Sequence, residues 1–333
     1  MILVTGAAGF IGYHVAARLL ADFENSGERV VGIDNLNSYY DPALKRARLK
    51  RLRANAEFAF GRIDVADREA MADVFEELQP SLVIHLAAQA GVRHSIDNPH
   101  EYTEANIEGF LNVLEGCRRV GVEHLIYASS SSVYGGHRQT PFRESDRVDQ
   151  PVSLYAATKR ANELMAHAYA HLFGFTATGL RFFTVYGPWG RPDMAPMKFA
   201  RAIARGERID VYGYGRMRRD FTFIDDAVEC VARLAAAGGE GARIFNVGND
   251  APVELMEFIG ELERAMGRCA HKRLLPMQAG DVESTHADVA ELERAIGYRP
   301  GTSIGEGIGK FVGWYREHFG DCSEREAGIF RAS

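Results

Sequence analysis

Residues 5–12 read TGAAGFIG, and this stretch decides the fold. Its glycines, Gly6, Gly9 and Gly12, are spaced GxxGxxG, a variant of the GxGxxG dinucleotide fingerprint. The apolar residues 1–5 before it predict a strand, and residues 11–22 after it predict an amphipathic helix. In that context the glycines have a mechanism. They permit a tight turn and a close approach of backbone to a pyrophosphate, whose charge sits at the helix N-terminus. Working outward, Asp34 ends a second apolar run, 29–34, at about the 20-residue offset where a carboxylate meets the adenosine ribose. It would accept hydrogen bonds from the ribose hydroxyls and repel a 2′-phosphate, so NAD is expected rather than NADP.

More short apolar runs follow at 57–60, 81–86, 123–128 and 176–181, with helix-length segments such as 68–78 and 102–120 between them. This alternation predicts right-handed βαβ units. The runs are apolar without alternation, as in strands covered on both faces. The expected fold is therefore α/β, a Rossmann-type doubly wound parallel sheet over residues 1–180. A later segment near 220–248 is expected to return to that domain. After residue 181 the rhythm changes, with Gly and Pro frequent near 187–196. This predicts a smaller C-terminal α/β substrate domain over 181–320 and a tail at 321–333. No internal repeat or low-complexity segment is visible.

Composition bounds the function. A chain of 333 residues holds roughly two domains at about 150 residues each. With 46% hydrophobic and 25% charged residues it reads as a soluble globular protein. Lys and Arg number 39 against 45 Asp and Glu, a net charge of −6, which excludes a general nucleic-acid binder. The basic cluster at 45–53 is expected to be a solvated helix face. The cysteines, Cys117, Cys230, Cys269 and Cys322, form no CxxC, so neither a disulfide framework nor a metal site is expected. Reduced thiols, no room for a signal peptide and no run of 18 apolar residues together predict a cytoplasmic protein that does not enter the membrane.

The chemistry is carried by Tyr155-Ala-Ala-Thr-Lys159, a YxxxK spacing that puts both side chains on one helix face, one turn apart. An ammonium beside a phenol favours the phenolate, a base able to take a proton from an alcohol. Upstream, Ser129, Ser130, Ser131 and Ser132 follow a strand and precede Val133-Tyr134-Gly135. A hydroxyl there can hydrogen-bond the reacting oxygen. Asp64, after the third strand, is placed to meet the adenine edge. Leu86, Ala87 and Ala88, after the fourth, leave space for the cofactor. Asp225 and Asp226 are read as helix N-capping residues.

TGAAGFIG, Asp34, HLAA at 85–88, SSSSVYG and YAATK together resemble the extended short-chain dehydrogenase/reductase family, over about residues 1–320. Within it the chain is similar to the nucleotide-sugar 4-epimerases, and among these to the UDP-glucuronate 4-epimerases. The segments behind that narrower likeness are DNLNSYYDP at 34–42, AQAGVRHS at 88–95 and RFFTVYGPWGRPDMA at 181–195. The resemblance implies tightly bound NAD, C4 epimerisation of UDP-glucuronate to UDP-galacturonate through a transient 4-keto sugar, and a homodimer. The pairing helices would be those near 102–120 and 153–173. It implies Tyr155 as base, Lys159 on the nicotinamide ribose and Ser130 as helper. It places Gly6, Gly9, Phe10, Ile11, Gly12, Asp34, Asn35, Asn37, Asp64, Val65, Leu86, Ala87, Ala88, Gln89, Asn106, Ser129 and Phe183 around the cofactor. Ser131, Ser132, Thr184, Arg191, Val211, Tyr212, Arg219, Asp281 and Arg93 fall around the substrate. An arginine can grip a carboxylate with two parallel hydrogen bonds, so Arg191, with Thr184, is the expected clamp on the C5 carboxylate. Arg93 is a second candidate for that carboxylate. Arg219 would meet the diphosphate, Val211 and Tyr212 the uracil, and Asp281 a loop over the diphosphate. Galactose epimerases carry a second arginine where this chain has Gln278. Sugar 4,6-dehydratases carry an Asp-Glu pair where this chain has Ser131 and Ser132, and UDP-glucuronate decarboxylases carry a Glu at Ser132. Without those acids, dehydration and decarboxylation are disfavoured. UDP-glucose/UDP-galactose 4-epimerisation and, less favoured, UDP-glucuronate decarboxylation or a non-catalytic NAD-binding role are the remaining alternatives.

Overall fold

The structure, a computed structural model, describes residues 1–320 except 25, 26, 138 and 279. The expected tail, with Cys322, lies outside the described residues. The strands are β1 (Ile2–Thr5), β2 (Val30–Ile33), β3 (Phe58–Gly61), β4 (Leu82–His85), β5 (His124–Ser130) and β6 (Thr176–Phe182), then β7 (Thr184–Tyr186), β8 (Arg208–Val211), β9 (Arg218–Phe223), β10 (Ala242–Val247), β11 (Pro252–Glu254) and β12 (His271–Leu274). Seven of them form one parallel sheet in the order β10-β6-β5-β4-β1-β2-β3. The order reverses between β1 and β4, which opens a crevice beyond their carboxyl ends. In sheets of this Rossmann type that is where ligands bind.

Apolar strands are required because both faces are covered. Leu3 and Val4 are each fully buried, on opposite sides of the sheet. The helix Phe10–Asp22 covers one side, and Arg68–Leu78 and Gly109–Val120 cover the other. The turn after β1 is closed so tightly that only glycine fits. Gly6 has φ +71°, and a Cβ there would lie 2.7 Å from the Ala87 nitrogen. A Cβ on Gly12 would lie 2.1 Å from the Gly6 carbonyl oxygen.

Beyond β6 the chain builds two small sheets, β11-β9-β7 and β12-β8. It rejoins the large sheet through the helix Ile224–Ala237 and β10, whose register runs from Ala242 opposite Ala177 to Val247 opposite Phe182.

Three expectations need correction. The helix Pro42–Leu52 is not a solvated basic face, because Lys45 and Arg48 share its buried side with Leu44, Leu49 and Leu52. Asp226 does not cap its own helix. It accepts from the Tyr298 hydroxyl at 2.6 Å and the Thr302 amide at 2.9 Å, tying down the C-terminal segment, and the helix Ile224–Ala237 starts at Phe223 without a side-chain cap. The helix expected at 102–120 is interrupted. Residues Glu104–Glu108 form one π-helical turn before Gly109–Val120, a widening that often marks a functional site. Among the described residues no helix is long and apolar enough to cross a membrane, and no group of three His, Cys, Asp or Glu side chains could hold a metal ion.

Candidate active site

β5 ends at Ser130, and the chain turns at once into a single 3-10 turn, Ser131–Tyr134. The Ser130 hydroxyl accepts from the Ser132 amide at 3.2 Å and favours the anion of the neighbouring Tyr155 phenol. Tyr155 lies in the first turn of the helix Leu154–Phe173, which Ser153 caps by accepting from the Ala156 amide at 3.1 Å. A helix N-terminus carries partial positive charge, which favours an anion. Lys159 follows one turn later, buried, with Nζ donating to the Ala128 carbonyl at 2.9 Å.

The electrostatics differ from the simple reading of YxxxK. Burial raises the Tyr155 phenol above its ordinary value, and the Ser130 hydrogen bond and the Arg191 charge offset this only partly. Lys159 is not among the groups that shift it. Lys159 itself is lowered to about 8 by burial. His85, at the end of β4, is lowered to about 3 by burial and by the Lys159 charge, so it stays neutral, paired with the Thr5 hydroxyl at 2.8 Å.

At the cofactor end, Asp34 accepts from the Ala8 amide at 3.2 Å and the Leu36 amide at 2.8 Å. Lys45 lies 3.8 Å from Asp34 and donates to Asn37 at 2.8 Å. Asn35 donates to Asp64 at 2.9 Å. Phe10 and Ile11 open the first helix, and no side chain caps that helix end.

Two expected cofactor residues brace the site with their side chains. Asn106, in the π-turn, accepts from the Gln89 amide and donates to the Gln89 carbonyl and Thr158 Oγ1, so both its amide hydrogens are committed. Ser129 donates to Glu163 at 2.6 Å, beside the ion pair of Glu163 with Arg181. Phe183 packs its ring among Val133, Tyr134 and Phe142. Val65 is buried beneath the helix Gly109–Val120.

At the substrate end the structure forms two groups. Arg191, in the loop after β7, faces inward, its guanidinium 5.7 Å from the Tyr39 ring and paired with Asp193. Thr184 opens β7 opposite Phe221 of β9. Arg93 is not with them. It pairs with Asp281 at 2.8 Å and stacks on Tyr212 at 5.3 Å. Arg219 completes this second group, held by the carbonyls of Arg218, Val282 and Glu283. Burial lowers Arg219, Asp281 works against that, and the Arg93 charge adds to it, so the two guanidinium groups feel each other across one carboxylate. Val211 lies fully buried beside Tyr212. Tyr39, Asp193, Lys45 and Arg48 were not singled out from sequence. Lys45 and Arg48 could have been, since they fall inside the apolar stripe 44, 49, 52.

The family described as the NAD dependent epimerase/dehydratase family matches residues 2–248. The chain belongs to that family. A Rhizobium meliloti protein named Probable UDP-glucuronate 4-epimerase is 47% identical over 335 residues, 95% of this chain and 97% of that one. UDP-glucuronate 4-epimerase 4 of Arabidopsis thaliana is 45% identical, over 96% of this chain and 76% of that one. The crystal structure of UDP-glucuronic acid 4-epimerase from Bacillus cereus, in complex with UDP-glucuronic acid and NAD, superposes with a TM-score of 0.88 at 31% identity, covering 95% of this chain and 99% of that one.

The residues present fit the dinucleotide of an epimerase/dehydratase. The Gly6–Gly12 turn and the end of β4 approach too closely for any Cβ. The uncapped helix end offers backbone N–H groups to a diphosphate. Asp34 closes the far end, and the Lys159 ammonium, with three donors, has one of them on the Ala128 carbonyl.

Proposed function

We propose that the protein inverts C4 of UDP-glucuronate to give UDP-galacturonate, using NAD that stays bound. The observation that carries this is Tyr155 in the first turn of its helix, one turn before buried Lys159, where the Ser130 hydroxyl and the Arg191 charge both work against burial to favour the phenolate. Gly6, Gly9, Gly12, Asp34 and Lys159 would hold the cofactor, with Leu86, Ala87, Ala88 and Gln89 along its path. Bound NAD supplies a nicotinamide ring that accepts the C4 hydride and returns it, and a positive charge that favours the phenolate. Tyr155 takes the C4 hydroxyl proton and later gives it back. Ser130 orients that hydroxyl, and Lys159 keeps positive charge beneath it. The sugar leaves with its electrons unchanged, so no external redox partner is needed.

The Arg93–Asp281–Arg219 group carries a net positive charge and is suited to the diphosphate of UDP, with Tyr212 beside it. Arg93 thus supplies the second cation that Gln278 does not. Ser131, Ser132 and Thr184 offer hydroxyls for the C5 carboxylate beside Arg191. No acid stands at the two positions after Ser130, which supports hydride removal and return over elimination. We read residues 1–180 with the returning segment through 248 as the cofactor-binding unit and the rest, to 320, as the substrate-binding unit. A homodimer in the cytoplasm completes this reading.

The test is to incubate the holoenzyme separately with UDP-glucuronate and UDP-glucose and resolve the products by proton NMR. Conversion of the acid to its C4 epimer is the expected result. Conversion of UDP-glucose alone would remove the role given to Arg191 and Thr184. Release of carbon dioxide would overturn the reading of Ser131 and Ser132.

A further inference from the structure

Arg191 leaves a turn, residues 187–190, in which Trp189 has φ +60°. That is the left-handed region, where a bulky side chain is an outlier. Such a residue persists only where its surroundings over-determine it, and such residues gather at functional sites. Here three consecutive carbonyls are held by side chains of two helices from the cofactor side. His14 Nε2, in the helix Phe10–Asp22, donates to the Pro188 carbonyl at 3.0 Å. Burial lowers His14 to about 4, so the ring is neutral and its one proton sits on the nitrogen facing that carbonyl. Arg48 Nη2, in the helix Pro42–Leu52, donates to the carbonyls of Trp189 at 2.6 Å and Gly190 at 3.4 Å. The Trp189 ring is held as well. It lies 4.7 Å from His318 and 5.3 Å from Trp314, both on the helix Ile304–Phe319, and 5.8 Å from Tyr13, with the Arg51 guanidinium 5.4 Å from its face. Gly187 closes the turn against Ile224, where a Cβ would lie 2.5 Å from Cγ2. Arg191 Nε and Nη2 donate to Asp193 at 3.0 and 2.5 Å, which leaves the Nη1–Nη2 edge clear of Asp193.

We propose that Trp189 is a positioning residue: its clamped left-handed turn sets Arg191 for the substrate carboxylate, so that selection of an acid sugar is fixed from outside the sugar pocket. This rests on the epimerisation of UDP-glucuronate proposed above. A guanidinium makes two parallel bonds to a carboxylate only when its place and plane both match. A backbone rotation at Trp189 swings everything that follows, and Arg191 is only two residues on. Glycine would adopt this φ without strain, but it would have nothing to hold it there. The indole supplies the hold, because the ring is gripped by the helix Ile304–Phe319 while the carbonyls are gripped by His14 and Arg48. The Arg93–Asp281–Arg219 group suited to the diphosphate stands on other segments, with none of these contacts. The clamp therefore acts on the acid end of the substrate and leaves the nucleotide end alone.

The test is calorimetric titration of the NAD-loaded protein with UDP-glucuronate and with UDP, in a Tyr155→Phe background that stops turnover. Trp189→Ala removes the anchor and lets the backbone relax to negative φ. Kd for UDP-glucuronate should rise about tenfold, the worth of one charge-assisted hydrogen bond. Kd for UDP, which has no carboxylate, should stay within about twofold. Trp189→Phe, which keeps a ring between Trp314 and His318, should recover most of the acid affinity. Once Arg191→Ala is present, Trp189→Ala should weaken UDP-glucuronate by less than about twofold more, because the residue it positions is gone. His14→Phe keeps a ring beside Phe10 and Tyr13 but drops the Pro188 bond. It should act in the same direction but less, and it serves if Trp189→Ala does not fold. Equal losses for UDP and UDP-glucuronate, or a full further loss on top of Arg191→Ala, would show Trp189 to be a packing residue only and would overturn the proposal. So would an unchanged acid affinity in Trp189→Ala or, where that variant does not fold, in His14→Phe. If the unsubstituted protein does not epimerise UDP-glucuronate, or Arg191→Ala alone leaves the acid as tightly bound, the functional reading itself fails. If both hold and the turn variants miss this signature, only the role of Trp189 fails.

Discussion

Burial acts in opposite senses on the two residues of the YxxxK pair, raising the Tyr155 phenol and lowering the Lys159 ammonium to about 8. The protein without substrate thus holds a reluctant base beside a reluctant cation. The Lys159 ammonium, the form that offers three donors to the cofactor, is present below about pH 8 and lost above it. The pH profile of kcat/KM should therefore turn down on the alkaline side of 8. Lys159→Arg, whose charge persists above pH 12, should move that limb upward. Tyr155→Phe keeps the ring packed edge-on against Tyr102, 6.1 Å away, and removes only the proton carrier. It should lower kcat by about 10²- to 10⁴-fold, the usual contribution of a general base, while NAD released on denaturation stays near one per chain. A fall of less than tenfold would move the base elsewhere.

At the scale of elements, the helix Pro42–Leu52 connects the two halves of the site. Arg48 is fully buried. It donates to the Ala8 carbonyl at 2.8 Å and the Tyr40 hydroxyl at 2.9 Å through one nitrogen, and to the Trp189 carbonyl at 2.6 Å through the other. Ala8 belongs to the glycine turn, and Trp189 stands two residues before Arg191. Arg48→Met would leave those buried carbonyls unpaired and should cost about 2–5 kcal/mol, as unmatched buried polar groups do. A thermal melt should fall by several degrees, whereas Lys50→Met on the exposed side of the same helix should move it by less than a degree or two. Equal melts would mean that water replaces Arg48. This helix also shows what a sequence withholds. The glycine turn, the strand alternation and YxxxK were legible because each depends on local spacing. Whether a cation in the stripe 44–52 points inward depends on carbonyls that the chain delivers from 141 residues away. The side-chain partners of Asn106 and Ser129 were hidden for the same reason, since they are chosen by the packing of other elements. The return of the segment near 220–248 was legible, and β10 does rejoin the large sheet beside β6.

For the whole molecule, the surface of the Gly109–Val120 and Leu154–Phe173 pair carries the argument for a second copy. Leu111 is 40% exposed, Leu164 56%, Leu172 68% and Phe173 46%. Leu164 and Leu172 are eight residues apart, so they share one helix face, and the inner face of that helix is already taken by Ala166 and Ala170 against the sheet. Fully covering one such side chain contributes about 1.5–3 kcal/mol, and a two-fold axis presents each of them twice. Two antiparallel helix pairs meeting across that axis would bury them in a single apolar seam. Leu164→Glu should therefore convert a two-chain particle into a one-chain particle in light scattering. It should leave the melt of the dilute monomer unchanged, because the position is exposed within one chain and the charge meets water there. Retention of two chains in Leu164→Glu and in Leu172→Glu would place the dimer contact elsewhere on the molecule. A single-chain mass before any substitution would remove the dimer from the proposed function and leave these leucines as isolated surface apolar groups.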